Sequence, residues 1–385
     1  MTINPDGNIS VCCSNNRGWD IGHISEIDDL SEHWKNHPDM IKLRNDDPQK
    51  MTEACGSCLK RTETSRTRWH EVNQKPPYLR MRNDNEIRFL EFTTSNICNQ
   101  TCASCSSYFS SKWRHLEEEL MELGFLQDAK LNDGIGFGSY NHPISRIGDK
   151  DLPKIMKLLP HLDKIYVKGG EPFADKNNFL ILEELLKTNP DCKIHMSTNL
   201  SNIPQKFIDL FKKYGGKPIL SVSMDGVHEV YEYIRSTPFQ KTVDNIKHWY
   251  KETGRRVNVS TYYSMYSIFN LKEVLEFFSN NLREEVSTVI FHKWITSPRY
   301  ISPQRVLFQN ELDELKEMIM SPEIMKYFFE DQNRFINHNL HNFQKIGGDK
   351  TTIKCRKEFV QYTKWLNLTR GIDIYEHIPL LKGIK

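Results

Sequence analysis

From Ile87 onward the apolar positions follow two alternating rhythms. Short β-rich runs occupy Ile87–Thr93, Lys164–Val167, Lys193–Thr198, Pro218–Met224, Arg256–Tyr263 and Thr288–His292. Their alternation or dense apolar character predicts strands. Between them lie stretches with apolar residues three and four apart: near Ser107–Leu123, Lys150–Leu159, Asn177–Lys187, Pro204–Tyr214, Thr237–Glu252 and Leu271–Asn281. These predict amphipathic helices. Strand and helix in strict turn give an α/β fold, a parallel sheet with crossover helices. Six strands are too few for a closed eight-stranded barrel, so the pattern predicts an open, partial (β/α)6 TIM-like barrel. Chemistry in such barrels gathers at the C-terminal ends of strands. The residues just after each strand are therefore the ones to read.

The flanks are patterned differently. Thr2-Ile3 and Ile9-Ser10-Val11 bracket Asn4-Pro5-Asp6-Gly7-Asn8, a strong turn signal, and predict a hairpin. Two helical stretches follow, about Ile27–Lys35 and Pro38–Arg44. Residues 63–86 are polar and basic and hold Pro76-Pro77, as a linker would. Beyond about residue 301 the chain reads as mostly helical, punctuated by Pro303 and Pro322. The expected organisation is a small module at 1–62, a linker at 63–86, an α/β core at 87–300 and a helical C-terminal extension at 301–385.

Composition narrows the class. At 38% hydrophobic and 26% charged residues the chain has an ordinary globular make-up. A net charge of +2 gives no field that would draw nucleic acid or an acidic membrane. No apolar run reaches the length of a bilayer span, and the N-terminus lacks a charged-then-apolar signal pattern. Of nine cysteines, seven fall in two groups. Grouped thiols without a secretion signal point to metal in a reducing, cytoplasmic setting rather than to disulfides.

The denser group is Cys98, Cys102 and Cys105, directly after the first core strand. The spacing i, i+4, i+7 would also place three thiols on one helical face. Ser95, Asn96, Asn99, Thr101, Ser104 and Ser106 favour caps and turns instead. Thiolates in a tight loop suit an iron–sulfur cluster. Zinc is the alternative, although it would need a fourth ligand from elsewhere. The second group is Cys12, Cys13, Cys55 and Cys58, the last two as a CX2C pair of the kind that presents both sulfurs to one metal. Gly169-Gly170-Glu171-Pro172 follows the second core strand. The glycines allow close backbone approach, and the carboxylate can accept from an ammonium group. Ser197-Thr198-Asn199 ends the third strand. Ser221-Val222-Ser223-Met224-Asp225-Gly226 ends the fourth, with Arg235 shortly after.

Together these motifs resemble the radical S-adenosylmethionine (radical SAM) superfamily over about residues 87–300. The resemblance implies that Cys98, Cys102 and Cys105 bind three irons of a [4Fe–4S] cluster and leave the fourth open to S-adenosylmethionine. It implies that Gly169, Gly170, Glu171 and Pro172 hold the methionyl amino group, and that Ser197, Asn199 and Ser223 meet the ribose or carboxylate. Arg235 would pair with the carboxylate. An apolar adenine contact is expected from Phe269 or Leu271; the family's bulky residue before the third cysteine is here Ser104.

The first 62 residues resemble a SPASM/twitch module through Asp6-Gly7, Cys12 or Cys13, Gly22-His23-Ile24, Leu30, Trp34, Cys55 and Cys58. Such a module implies an auxiliary [4Fe–4S] cluster; zinc or no metal are the other readings. In the family it usually follows the catalytic domain, whereas here it precedes it. The chain opens inside what reads as a strand, so an upstream ligand would lie outside it. The implied activity is reductive cleavage of S-adenosylmethionine to a 5′-deoxyadenosyl radical that takes hydrogen from a substrate. Substrates of the family's SPASM/twitch members include peptides, proteins and small molecules. The electron would come from a reductase, flavodoxin or ferredoxin. Tyr262, His292, Lys293 and Trp294 would line the barrel mouth. The competing class is a non-enzymatic iron–sulfur or zinc protein in electron transfer or partner binding, which leaves Gly169–Pro172 and Arg235 unexplained.

Overall fold

The computed structural model describes residues 1–12, 19–45, 47–59, 86–124, 142–327 and 343–384, leaving aside the side chains of 51, 56–59 and 290–293. In chain order the hairpin strands are β1 (Thr2–Ile3) and β2 (Ile9–Ser10), followed by helices α1 (Leu30–Asn36), α2 (Pro38–Arg44) and α3 (Pro48–Leu59). The core runs β3 (Phe89–Phe92), α4 (Arg114–Glu122), α5 (Leu152–Met156), β4 (Lys164–Val167), α6 (Lys176–Thr188), β5 (Lys193–Thr198) and α7 (Gln205–Tyr214). It continues with β6 (Ile219–Ser223), α8 (His228–Arg235), α9 (Phe239–Thr253), β7 (Val257–Tyr263), α10 (Leu271–Asn281) and β8 (Val286–Trp294). Then come α11 (Pro303–Val306), α12 (Gln309–Ile319), α13 (Pro322–Met325), α14 (Asp349–Arg370) and α15 (Ile374–His377). The six strands β3 to β8 supply the open (β/α)6 arrangement. Among the described residues no helix is long and apolar enough to cross a membrane.

The residues fall into two compact units. The first holds 1–97, 144–196 and 210–218, with strand order β2-β1-β3-β4-β5. Pairing is parallel from β1 to β5; the hairpin mate β2 is antiparallel. The hairpin therefore continues the sheet, with Thr2 opposite Glu91. Its turn is closed by Gly7 N–H on Asn4 O, with Gly7 in the left-handed region at φ +89°. In β4 and β5 burial alternates: Ile165, Val167, Ile194 and Met196 are buried, while Tyr166 and His195 on the other face are half-buried.

The second unit holds 98–143, 197–209 and 219–385, with β6-β7-β8 all parallel. Its core includes Trp113, Tyr233, Tyr266, Phe359, Tyr362 and Leu366, all buried. The long helix α14 supplies three of these.

Two elements differ from the sequence expectation. Helix α8 was not expected, because its eight residues include the β-formers Val230, Tyr231, Tyr233 and Ile234. All four are buried, so tertiary packing decides the helix. Cys55 and Cys58 lie within helix α3 rather than on a turn-like knuckle. The expected linker lies outside the described residues except for Glu86.

Candidate functional site

Residues 98–105 form no helix, so the buried helical cysteine stripe is excluded. The loop is tied to the end of α8 through its amides. Thr101 N–H donates to Ser236 Oγ at 2.8 Å, and Ala103 N–H donates to Ile234 O at 2.8 Å. Ser236 holds a left-handed conformation, φ +53°, one residue past α8. A tight turn brings Cys105 N–H to Cys102 O at 2.9 Å.

None of the three cysteines is in a disulfide; Cys102 is buried, while Cys98 and Cys105 are half-buried. Burial pushes the Cys105 thiol well above its ordinary pKa, and negative charge on Cys102 and Cys98 pushes it further. Three thiolates so close repel one another unless positive charge stands among them. Part of that charge is Arg235, whose Nη1 donates to Cys102 Sγ at 3.6 Å. Asn199 Nδ2 stands 3.9 Å from Cys98 Sγ. Arg235 Nε and Ser106 Oγ are buried and have no hydrogen-bond partner among the described residues. Such orphaned donors beside three thiols fit a bound group that would complete them. Among the described residues no three His, Cys, Asp or Glu side chains stand close enough to share one metal ion.

Arg235 is fixed from its other end. Nη2 pairs with Asp225 Oδ2 at 2.5 Å, and Asp225 Oδ1 accepts Tyr262 N–H at 2.9 Å. Burial opposes the guanidinium charge, but Asp225 foremost, then Cys102 and Tyr231, outweigh it and raise its pKa. The sequence assigns Asp225 no part in the site; the Asp-Gly…Arg spacing is the signal that could have found it. Arg235 and Asn199, expected on the carboxylate and the nucleoside, both reach cysteine sulfurs. Asn199 also donates to Asn99 Oδ1 at 2.8 Å and accepts from Ser201. Ser223, half-buried, closes β6 opposite Ser260; Ser197 is the penultimate residue of β5.

In the first unit, Gly169-Gly170-Glu171-Pro172 follows β4. Gly169 and Gly170 have φ +75° and +50°. A Cβ at Gly169 would meet Thr93 Cγ2 at 2.2 Å; one at Gly170 would meet Ile97 O at 2.4 Å. Only glycine fits both. Glu171 N–H donates to Ile97 O at 2.8 Å, which ties this turn to the residue preceding Cys98. Glu171 Oε1 accepts Phe173 N–H at 3.2 Å and caps the turn Pro172–Ala174.

Of the second cysteine group, Cys12 is exposed and Cys55 half-buried. Cys13 and the Cys58 side chain lie outside the described residues, as do the side chains of His292 and Lys293. Trp294 is buried against Tyr263 and Phe343, and Leu271 is a core residue, which fits packing rather than ligand contact. Phe269 is partly buried on the same core, and Tyr262 is exposed. Burial raises the Cys192 thiol to about 12 and also lifts Cys355. Both are buried thiols that pack in the cores.

Comparison with known proteins places this site in a family. The model of the radical SAM superfamily matches residues 92–279. The model of the iron–sulfur cluster-binding domain called SPASM matches residues 1–59. No curated protein matches the chain. Among solved structures, Streptococcus suis SuiB bound to S-adenosylmethionine is 12% identical, with TM-score 0.41, over 66% of this chain and 48% of that one. Native anSMEcpe with bound AdoMet is 14% identical, TM-score 0.41, over 67% and 62%. The FeFe-hydrogenase maturase HydG from Carboxydothermus hydrogenoformans is 11% identical, TM-score 0.38, over 67% and 57%. The chain thus spans about half to three fifths of those chains' length, and likeness at this level carries no inference about chemistry. The family's cofactors are a [4Fe–4S] cluster and S-adenosylmethionine, and the thiols, cations and orphaned donors of the Cys98–Cys105 loop fit them. The match to the radical SAM superfamily thus spans residues 92–279, just under half of the chain, and a match to the SPASM iron–sulfur module lies ahead of it at 1–59.

Proposed function

We propose that this chain is a radical SAM enzyme whose Cys98, Cys102 and Cys105 hold the [4Fe–4S] cluster beside an S-adenosylmethionine site. When bound, these cofactors supply one-electron cleavage of the sulfonium and a 5′-deoxyadenosyl radical that takes hydrogen from an unactivated C–H. The observation that carries the reading is the loop itself: three cysteines outside any disulfide, a guanidinium on one sulfur, an amide beside another and buried donors that find no partner among the described residues.

The chain's own residues bind and orient. Gly169 and Gly170 let the turn take positive φ and pack closely on Thr93 and Ile97, which sets its shape, and Glu171 and Pro172 close that turn. The Glu171 carboxylate is the group that would accept from an ammonium group. Ser197, Asn199 and Ser223 offer small polar groups at strand ends. Arg235 keeps its positive charge beside Cys102, with Nε left to meet a carboxylate. Cys12, Cys13, Cys55 and Cys58 would serve an auxiliary cluster or a zinc ion, in line with the SPASM match. That module accompanies peptide- and protein-modifying members of the family, so a peptide or protein side chain is the proposed substrate, with a flavodoxin, ferredoxin or reductase as electron source.

The test is chemical. The full chain, reconstituted with iron and sulfide without oxygen, is mixed with dithionite and S-adenosylmethionine, and products are separated by chromatography. Formation of 5′-deoxyadenosine and methionine, lost in Cys102→Ala, is expected. Intact S-adenosylmethionine in the presence of a fully loaded cluster would favour an electron carrier.

A further inference from the structure

Four consecutive carbonyls of the cysteine loop accept hydrogen bonds from side chains. Ser110 Oγ donates to Gln100 O at 2.6 Å, and Arg370 Nη2 donates to Thr101 O. Trp113 Nε1 donates to Cys102 O at 3.1 Å, and Tyr362 Oη donates to Ala103 O at 2.8 Å. An irregular loop has no ladder to satisfy its backbone, so each group must find a partner elsewhere. Two of these residues, Thr101 and Ala103, also have their amides held, by Ser236 and Ile234 at the end of α8. Thr101 and Ala103, the two neighbours of Cys102, therefore have both backbone groups fixed. Cys102 itself is over-determined.

Two of the four donors, Tyr362 and Arg370, come from α14, which lies beyond both matched segments. They are themselves held rigidly. Tyr362 packs on Trp365 and Tyr300 with ring centroids 5.4 and 4.6 Å apart. Trp365 Nε1 donates to Glu119 Oε1 at 2.9 Å. Arg370 Nε donates to Tyr233 O at 3.1 Å, so one guanidinium links α14, the loop and α8. Buried donors in such a network keep one geometry.

We propose that α14 is a positioning clamp for the cluster loop. Tyr362 and Arg370 hold Ala103 and Thr101 so that the thiols keep their placement before, during and after cluster loading. This rests on the reading of the loop as a cluster site. They are positioning residues: they act through the backbone and touch no cofactor. A preformed loop takes up a cluster without first having to order itself, and releases it slowly for the same reason.

The test compares Tyr362→Phe and Arg370→Lys with two controls. Leu368→Ala alters the exposed side of the same helix. Tyr266→Phe removes a different buried hydroxyl, the one on Thr363, from the same core. Two readouts use the full chain. Before reconstitution, alkylation rates of Cys98, Cys102 and Cys105 are followed by mass spectrometry. After it, cluster loss to an iron chelator is followed by visible absorption, and the reduced cluster by EPR. One lost hydrogen bond corresponds to a change of about fivefold. Tyr362→Phe and Arg370→Lys should each speed Cys102 alkylation and cluster loss by about that factor and alter the EPR line shape, while Leu368→Ala and Tyr266→Phe match the wild type in all three. Wild-type rates in both α14 variants would overturn the clamp. Equal acceleration by Tyr266→Phe would reduce it to general loosening and overturn it too. If the wild type takes up no cluster, the cofactor reading fails, and the alkylation rates still decide the clamp.

Discussion

Arg235 lies with Nη1 3.6 Å from the Cys102 sulfur. Its second amine, Nη2, closes on Asp225 at 2.5 Å. A largely buried cation is thus aimed at a thiol by a buried carboxylate ten residues earlier, in the turn between β6 and α8. Hydrogen bonds to the sulfurs and local charge are among the factors that set an iron–sulfur potential. The pair places that control in the protein.

Arg235→Met would leave Asp225 buried beside an apolar side chain. The expected loss of stability is about 3–5 kcal/mol, read from urea unfolding. Adding Asp225→Asn should recover part of it, since the two residues form one unit. In the loaded protein, Arg235→Lys moves the charge away from Cys102 and should lower the cluster's midpoint potential in an EPR-monitored titration. An unchanged potential would show that the guanidinium has no influence on the cluster.

Gly170→Ala adds a Cβ 2.4 Å from Ile97 O at φ +50°. Backbone must shift, because a carbonyl cannot rotate away as a side chain can. Gly215 has a similar φ, +65°, but nothing within 4 Å of its Cβ position. Gly215→Ala should cost only the left-handed strain, about 1–2 kcal/mol. Gly170→Ala should cost clearly more in the same urea experiment and should impair S-adenosylmethionine binding by the loaded protein. Equal costs would mean that the contact with Ile97 is easily relaxed.

His195 on β5 is held neutral. Burial, then Lys164 and Lys193, lower its pKa from 6.5 to about 4. In the unfolded chain the imidazole takes up its proton near pH 6.5, so between pH 6.5 and 4 the unfolded state binds more protons. Stability is therefore complete above pH 6.5 and falls as pH drops through that window. His195→Gln should flatten this part of the urea-midpoint profile. A slope equal to that of the wild type would assign the acid sensitivity to other groups.

Much of the fold was legible because burial alternates cleanly along the strands. β4 and β5 have the limits that the apolar pattern predicts, and α10 likewise. α8 was hidden by its own Val, Tyr and Ile residues, which favour strands unless a core claims them. The cysteines and the glycine pair could be read directly, since each has a local chemical reason to be there. The contacts of Arg235 and Asn199 with sulfur could not, because side-chain reach depends on how the loop folds back. Still less visible were Tyr362 and Arg370, which meet the loop from 259 and 269 residues away. No local pattern encodes such a meeting; it exists only once α14 has packed.

The most direct test of the central claim is EPR on the full chain, reconstituted without oxygen and reduced with dithionite, recorded with and without S-adenosylmethionine. If Cys98, Cys102 and Cys105 hold a cluster with one open iron, a [4Fe–4S]⁺ signal appears and its shape changes when S-adenosylmethionine is added. Cys98→Ala should abolish that responsive signal while leaving any signal from the Cys12, Cys13, Cys55 and Cys58 group in place. A loaded cluster indifferent to S-adenosylmethionine, or no cluster after full iron and sulfide loading, would contradict the account.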